Sequence, residues 1–125
     1  MTREVMSPGP LQRKWLDKLR SGKYEKTTGE LFDDFNGRDC YCATGLAVLV
    51  LEEEGLVGTE EWFGSTMSKK AIRLMGIKWQ ATVAAMFSKS KTPSIVDIND
   101  DTRVTFSEIA DRIEENWDKF FYKVA

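Results

Sequence analysis

The spacing of apolar residues changes several times along this chain, and each change marks an element. Leu11, Trp15, Leu16 and Leu19 recur at helical spacing, while Arg13, Lys14, Asp17, Lys18 and Arg20 occupy the other side, which predicts an amphipathic helix. Ser7-Pro8-Gly9-Pro10 breaks the chain ahead of it, and Pro10 suits the first helical position, where no amide donor is needed. Gly22 is placed to end the helix with a positive φ. Residues 1–9 are expected to form a flexible lead-in.

From Tyr24 to Cys42 the pattern predicts irregular structure with a short hairpin. Glu30 to Phe35 is one arm, Asn36-Gly37 the turn and Arg38 to Cys42 the return. Residues 43–54 are apolar on every side over two turns and stop at Gly55, which predicts a central, buried helix. The β-branched Val48 and Val50 keep a strand open as the alternative. Gly55 to Ser65 reads as a loop carrying Trp62-Phe63. Ser68 is placed to cap a helix over Lys69–Met75 that Gly76 stops.

Further on, Trp79, Val83, Met86 and Phe87 follow helical spacing, Ser88 to Pro93 is a polar connection, and Ile95-Val96-Asp97-Ile98 suggests a short strand. Thr105 and Glu108 form a capping box ahead of a final helix, with Val104 and Ile109 as its hydrophobic staple. Ile109, Ile113, Trp117, Phe120 and Phe121 continue one apolar stripe. The expected fold is a single α+β domain over residues 1–125, mainly helical, with a small β-hairpin near the N-terminal third.

A chain of 125 residues with 11% aromatics is long and apolar enough to bury a core. No apolar run approaches the length of a membrane span, and the N-terminus has no apolar core of signal-peptide length. Cys40 and Cys42 are therefore expected as reduced thiols in a cytoplasm. A disulfide between residues two apart would also be strained.

The net charge of −2 hides a segregation into blocks. Residues 1–26 hold seven Lys/Arg and three acids; 27–61 hold one and nine; 62–96 hold six and none; 97–125 hold four and eight. Opposite blocks are expected to pack together and neutralise each other. The other reading is a basic patch that meets an anionic partner.

The chain contains no histidine, which removes Ser-His-Asp and Cys-His catalysis and every His-containing metal site. It has neither a phosphate-cradling Gly-rich loop nor a dinucleotide fingerprint. No cofactor is implied. Carboxylate-only catalysis stays open, although no pair of acids stands out.

Asp97, Asn99, Asp101, Val104 and Glu108 fall in the register of a calcium loop, which takes oxygen ligands at its first, third and fifth positions and a bidentate Glu at its twelfth. Thr102 stands where the loop needs Gly, and Pro93 falls where the entering helix should run. The preferred reading is a turn at Asn99-Asp100-Asp101 followed by a helix cap. Cys40-Tyr41-Cys42-Ala43-Thr44-Gly45 is expected to be a tight packing box, with a thiol or Tyr41 lining a pocket as the alternative. Lys69, Lys70, Arg73 and Lys78 form a further group, the first three on one predicted helix, which is either a solvated face or a phosphate-binding group.

Several segments, taken in order, resemble a known family. They are Leu19-Arg20-Ser21-Gly22-Lys23-Tyr24, Gly29-Glu30-Leu31, Cys40-Tyr41-Cys42-Ala43-Thr44-Gly45-Leu46, Asn99-Asp100 and Phe106-Ser107-Glu108-Ile109-Ala110-Asp111-Arg112-Ile113-Glu114. Together they are similar to a widespread family of small proteins of tailed bacteriophages, over about residues 11–46 and 97–115. Members carry two adjacent cysteines where this chain has Cys-Tyr-Cys. The resemblance implies expression in the cytoplasm of an infected bacterium and no particular reaction.

The function expected on these grounds is that of a non-catalytic phage accessory protein that binds and modulates a host protein, plausibly of defence or metabolism. A small-ligand binder sequestering a nucleotide-like signal is the alternative, and a minimal carboxylate enzyme a third. Candidate binding residues are Tyr24, Tyr41, Trp62, Phe63, Lys69, Lys70 and Arg73. Neither a membrane nor a nucleic acid is an expected partner, since no basic face dominates. Self-association stays open.

Overall fold

A computed structural model describes residues 9–28, 31–35, 38–62, 67–82 and 93–121. Helix α1 (Pro10–Arg20) opens on proline as expected and buries Trp15, Leu16 and Leu19. The chain turns away through Gly22 at φ +74°. Helix α2 (Ala43–Glu53) buries eight of its eleven residues, so the strand alternative is dismissed. It is the central element, contacting α1, helix α3 (Lys69–Met75) and the sheet. The Trp15 indole N–H, buried inside the core, donates to the Ala43 carbonyl at 2.8 Å and ties the first two helices together.

The hairpin forms where the turn signal placed it. Strand β2 (Phe32–Phe35) pairs antiparallel with β3 (Arg38–Tyr41), in a register that sets Phe32 opposite Tyr41 and Asp34 opposite Asp39. A two-residue strand β1 (Glu25–Lys26), which the pattern did not announce, lies parallel to β3 and completes the order β1-β3-β2. A parallel pair this short has little hydrogen bonding of its own. It is held from elsewhere, by Lys26 and Thr27 as described next.

The strand expected at Ile95–Ile98 is instead helix α4 (Ile95–Asp100). Ser94 caps it in a full capping box, with the Ser94 hydroxyl accepting from Asp97 N–H and the Asp97 carboxylate accepting from Ser94 N–H. Pro93 precedes the cap and interrupts nothing. Ile95, Ile98 and Asn99 are the buried positions, a helical i, i+3, i+4 set that the β-branched composition disguised.

Asn99 is 2% exposed. Its side-chain oxygen accepts from Ala43 N–H at 2.9 Å, and its amide donates to the Thr27 carbonyl at 3.0 Å. The Lys26 ammonium donates to the Asn99 and Asp101 carbonyls at 2.6 and 2.8 Å, closing the C-terminal end of α4 as a cation should.

The final stripe is buried throughout, but not as one helix. α5 (Phe106–Glu115) breaks at Asn116 and a short α6 (Trp117–Phe120) follows. The Thr105 hydroxyl accepts from Glu108 N–H at 3.2 Å, as a cap does. The Glu108 carboxylate, however, accepts from the Thr105 hydroxyl at 3.1 Å rather than reaching the backbone, so the box is only half built. Trp117 stacks on Phe121 at 3.9 Å, and Phe121 bridges to Ile77.

Ser68 and Gly76 bound α3 as expected, with Gly76 at φ +70°. The Gln12 side chain donates to the Met75 carbonyl at 2.6 Å and joins α1 to the end of α3. Trp79 begins a 3₁₀ turn (Trp79–Ala81) and is 52% exposed, not packed on an apolar helix face as its spacing suggested. Val83, Met86, Phe87, the Asn36-Gly37 turn and residues 1–8 of the expected lead-in lie outside the described residues. Among the described residues no helix is long and apolar enough to cross a membrane. The architecture is the mainly helical α+β fold that the pattern predicts.

Two substitutions should expose the central joint. Asn99→Ala leaves the buried Ala43 N–H and Thr27 carbonyl without partners and should cost about 2–4 kcal/mol. Thr105→Ala, at an exposed cap, should cost only about 1 kcal/mol. Urea denaturation at unchanged m-value reads both, and an equal or smaller loss for Asn99→Ala would refute the role given to that carboxamide.

Candidate functional site

The hairpin register places Phe32 and Tyr41 side by side on one face of the sheet. Their rings meet edge to face at 5.3 Å. The chain leaving α2 returns through a 3₁₀ turn (Thr59–Trp62) and sets Trp62 against both, 5.9 Å from Phe32 and 5.8 Å from Tyr41. The Trp62 indole N–H donates to Glu52 at 2.8 Å, which fixes the ring. Tyr24, just beyond α1, closes the group at 5.7 Å from Tyr41. All four rings are half-buried, with one side on the protein and one side toward solvent. Such edge-to-face aromatic packing is self-supporting and rigid.

Charges frame these rings. Lys18 donates to the Tyr24 hydroxyl at 3.1 Å, lies 5.3 Å from that ring's centre and pairs with Glu53 at 2.6 Å. Burial works against the Lys18 charge, but the bonds to Glu53 and Tyr24 outweigh it and its pKa is raised. Burial also pushes the Tyr41 hydroxyl up, reinforced by the Asp39, Glu52 and Glu53 charges. The tyrosine therefore stays neutral at physiological pH.

Tyr24 is the common wall of two clefts. The first, about 420 Å³, runs between α1 and the end of α2 and is floored by Lys14, Lys18, Glu53 and Glu54 in facing pairs. The second, about 400 Å³, has apolar walls from Leu19, Tyr24, Val104 and Phe106, with Arg20 and Lys26 at its margin. Neither cation is free to hold an anion. Arg20 pairs with Asp111 at 2.8 Å and with Glu114, and Lys26 is engaged with two backbone carbonyls. Burial lowers the Lys26 pKa against the pull of Asp101 and Asp100.

Of the residues singled out in sequence, the structure brings Tyr24, Tyr41 and Trp62 together. Phe63 lies outside the described residues. Lys69, Lys70 and Arg73 are exposed on α3, line neither cleft, and make no hydrogen bond to the aromatic group. Phe32 was missed. Its signal was the Asn-Gly pair itself, since a two-residue hairpin connection sets the register that puts Phe32 opposite Tyr41. Lys18 and Glu52 were legible only as helix-surface charges.

The calcium-loop residues each have another task. Asp97 caps α4, Asn99 is buried between backbone groups, Glu108 accepts from Thr105, and the Arg103 side chain holds Asp101 down at about 2. Among the described residues no group of three or more His, Cys, Asp or Glu is arranged to hold a metal ion.

The cysteine box is a packing device. Both cysteines are buried and outside any disulfide, and neither lines either of the two clefts described above. The Cys42 sulfur caps α2 by accepting from Gly45 N–H at 3.2 Å, and it lies 3.1 Å from the Thr44 hydroxyl. A Cβ on Gly45 would stand 2.0 Å from the Leu31 carbonyl oxygen, so only glycine lets the hairpin lie on α2. No family model, curated protein or solved structure matches the chain.

Burial pushes the Cys42 thiol above its ordinary value of 9.0, against smaller opposing contributions from Thr44 and Gly45. The folded chain therefore keeps this proton where the unfolded chain has released it, and stability falls as pH rises through the unfolded value. Urea denaturation between about pH 7 and 10.5 should show this alkaline loss. It should be smaller in Cys42→Ser, whose hydroxyl keeps the cap but does not titrate there. Identical pH slopes for the two proteins would contradict the assignment.

Proposed function

We propose that the protein is a non-catalytic accessory protein of a tailed bacteriophage. It acts in the cytoplasm of the infected cell, binding a host protein through the aromatic face formed by Tyr24, Phe32, Tyr41 and Trp62 and altering that protein by occupancy. The observation that carries this reading is the face itself. Four half-buried rings pack edge to face against one another, with the Lys18–Glu53 pair beside Tyr24 and Glu52 holding Trp62. Aromatic anchors inside a polar rim are the anatomy of protein interfaces, and rigid rings lose little conformational entropy on docking. Motif segments of the bacteriophage resemblance also meet beside this face, since Leu19, Arg20, Gly22, Tyr24, Phe106 and Ser107 line one cleft and Tyr41 lies within the cysteine box.

The second reading, a binder of a small nucleotide-like ligand, is supported by the 400 Å³ apolar-walled cleft beside Tyr24, whose size falls in the range of ligand pockets. It is the weaker reading because Arg20 and Lys26 are already engaged.

The test is capture of host proteins on the tagged, folded chain, followed by mass spectrometry of both proteins and released small molecules. Trp62→Ala and Phe32→Ala should each lower recovery of the specific partner by about tenfold or more, as loss of an interface anchor does. Glu108→Gln and Cys40→Ser should leave it unchanged. A well-folded protein that acts below stoichiometry and is silenced by one carboxylate change would be an enzyme, and the occupancy reading would fail.

A further inference from the structure

The charge blocks of the chain are only partly neutralised within it. Three cations of α1 are satisfied, with Lys14 on Glu54, Lys18 on Glu53 and Arg20 on Asp111 and Glu114. Two groups of opposite sign are left over. On the sheet, Asp34 and Asp39 are exposed and directly opposite each other across β2 and β3, and among the described residues no cation pairs with either. Like charges in such a cross-strand pair destabilise a hairpin. On α3, Lys69, Lys70 and Arg73 are exposed, and residues 62–96 contain no acid at all.

Each charged group adjoins aromatic surface. Asp34 and Asp39 lie two residues along their strands from Phe32 and Tyr41, and therefore on the same face of the sheet. Trp79, the most exposed large apolar side chain among the described residues, follows α3 by four residues. One surface thus combines carboxylates with aromatic rings, and the other carries cations on a helix that an exposed indole follows along the chain. We propose that these two surfaces are complementary, and that the protein associates head to tail with a second copy of itself. In this arrangement Lys69, Lys70 and Arg73 of one copy meet Asp34 and Asp39 of the next, and Trp79 covers the Phe32–Tyr41 pair.

The contact is heterologous, so a pair of copies keeps one free surface of each kind and the association closes into a ring or grows. It rests on exposed charges, which are individually weak and screened by salt. It therefore forms at high protein concentration and low ionic strength. It is independent of the host-binding reading, but the two share Phe32 and Tyr41, so self-association and partner capture compete.

Sedimentation velocity on the purified protein tests this without any host material. At low salt the weight-average mass should rise with protein concentration, and at about 0.5 M salt it should return to that of one chain. Two charge-reversed variants isolate the surfaces. Lys69→Glu/Lys70→Glu/Arg73→Glu reverses α3, and its new acids near the helix start suit the helix dipole, so folding is preserved. Asp34→Lys/Asp39→Lys reverses the sheet while keeping a like-charged cross-strand pair.

Each variant alone should sediment as a single chain at all concentrations. Mixed, they should associate again, because both surfaces of the first are then acidic and both surfaces of the second basic, so every α3-to-sheet contact between the two is charge-complementary. If either variant does not fold, Lys70→Gln/Arg73→Gln should weaken the wild-type association at least several-fold. The proposal is overturned if the wild type stays a single chain at low salt, if either variant alone still associates, or if the folded mixture stays monomeric. Loss of host capture in Trp62→Ala leaves these outcomes untouched, so the two readings fail separately.

Discussion

The buried carboxamide of Asn99 joins three parts of the chain that are far apart in sequence. Its oxygen accepts the first amide of α2, and its nitrogen serves the carbonyl at the end of β1. A carboxamide is suited to this place because it presents an acceptor and a donor together without charge. With Lys26 closing the end of α4, the same junction fixes β1, and β1 leads directly from Tyr24. The position of the aromatic face thus depends on a polar contact remote from it in sequence. An unsatisfied polar group at this depth would cost more than the bond itself contributes, so the joint is all or nothing.

The cysteine box solves a related problem by small size. The Leu31 carbonyl approaches so near to α2 that Gly45 has no room for a side chain, and the same carbonyl accepts from Cys42 N–H at 3.2 Å. The sulfur of Cys42 then takes the place usually held by a hydroxyl or carboxylate at a helix start. Burial keeps that thiol protonated, and a protonated thiol is a poor nucleophile. Chemistry that a cysteine pair can suggest is here given up to packing. Trp15 completes the arrangement by spending its one donor on the Ala43 carbonyl, so the largest side chain of the core is also a polar link.

Charge is organised on the same principle, with neighbours in space rather than in sequence. The basic α1 lies between the acidic end of α2 and the acidic face of α5, and its cations pair in both directions. These exposed pairs add little stability each. Their effect is to neutralise one side of the molecule and to leave the sheet face acidic and α3 basic. The aromatic rings lie on the acidic side, where Lys18 serves both Tyr24 and Glu53.

Local signals in the sequence determined the elements whose cause is local. Pro10 and Gly22 bound α1, Ser68 and Gly76 bound α3, Thr105 starts α5, and the Asn-Gly signal falls between the two arms that form β2 and β3. Each of these depends on backbone chemistry within a few residues, so it can be read from the sequence. Tyr24, Tyr41 and Trp62 were recognisable as binding residues by type, but nothing local shows that they share one face, because a strand register and a returning turn bring them together. Tertiary structure alone decided β1 and the exposure of Trp79, whereas the helical state of Ile95–Asp100 also has a local cause in the Ser94–Asp97 capping box. In α4 the β-branched composition argued for a strand, and the burial of Ile95, Ile98 and Asn99 on one side prevailed, since weak propensity yields to packing and to a buried hydrogen bond.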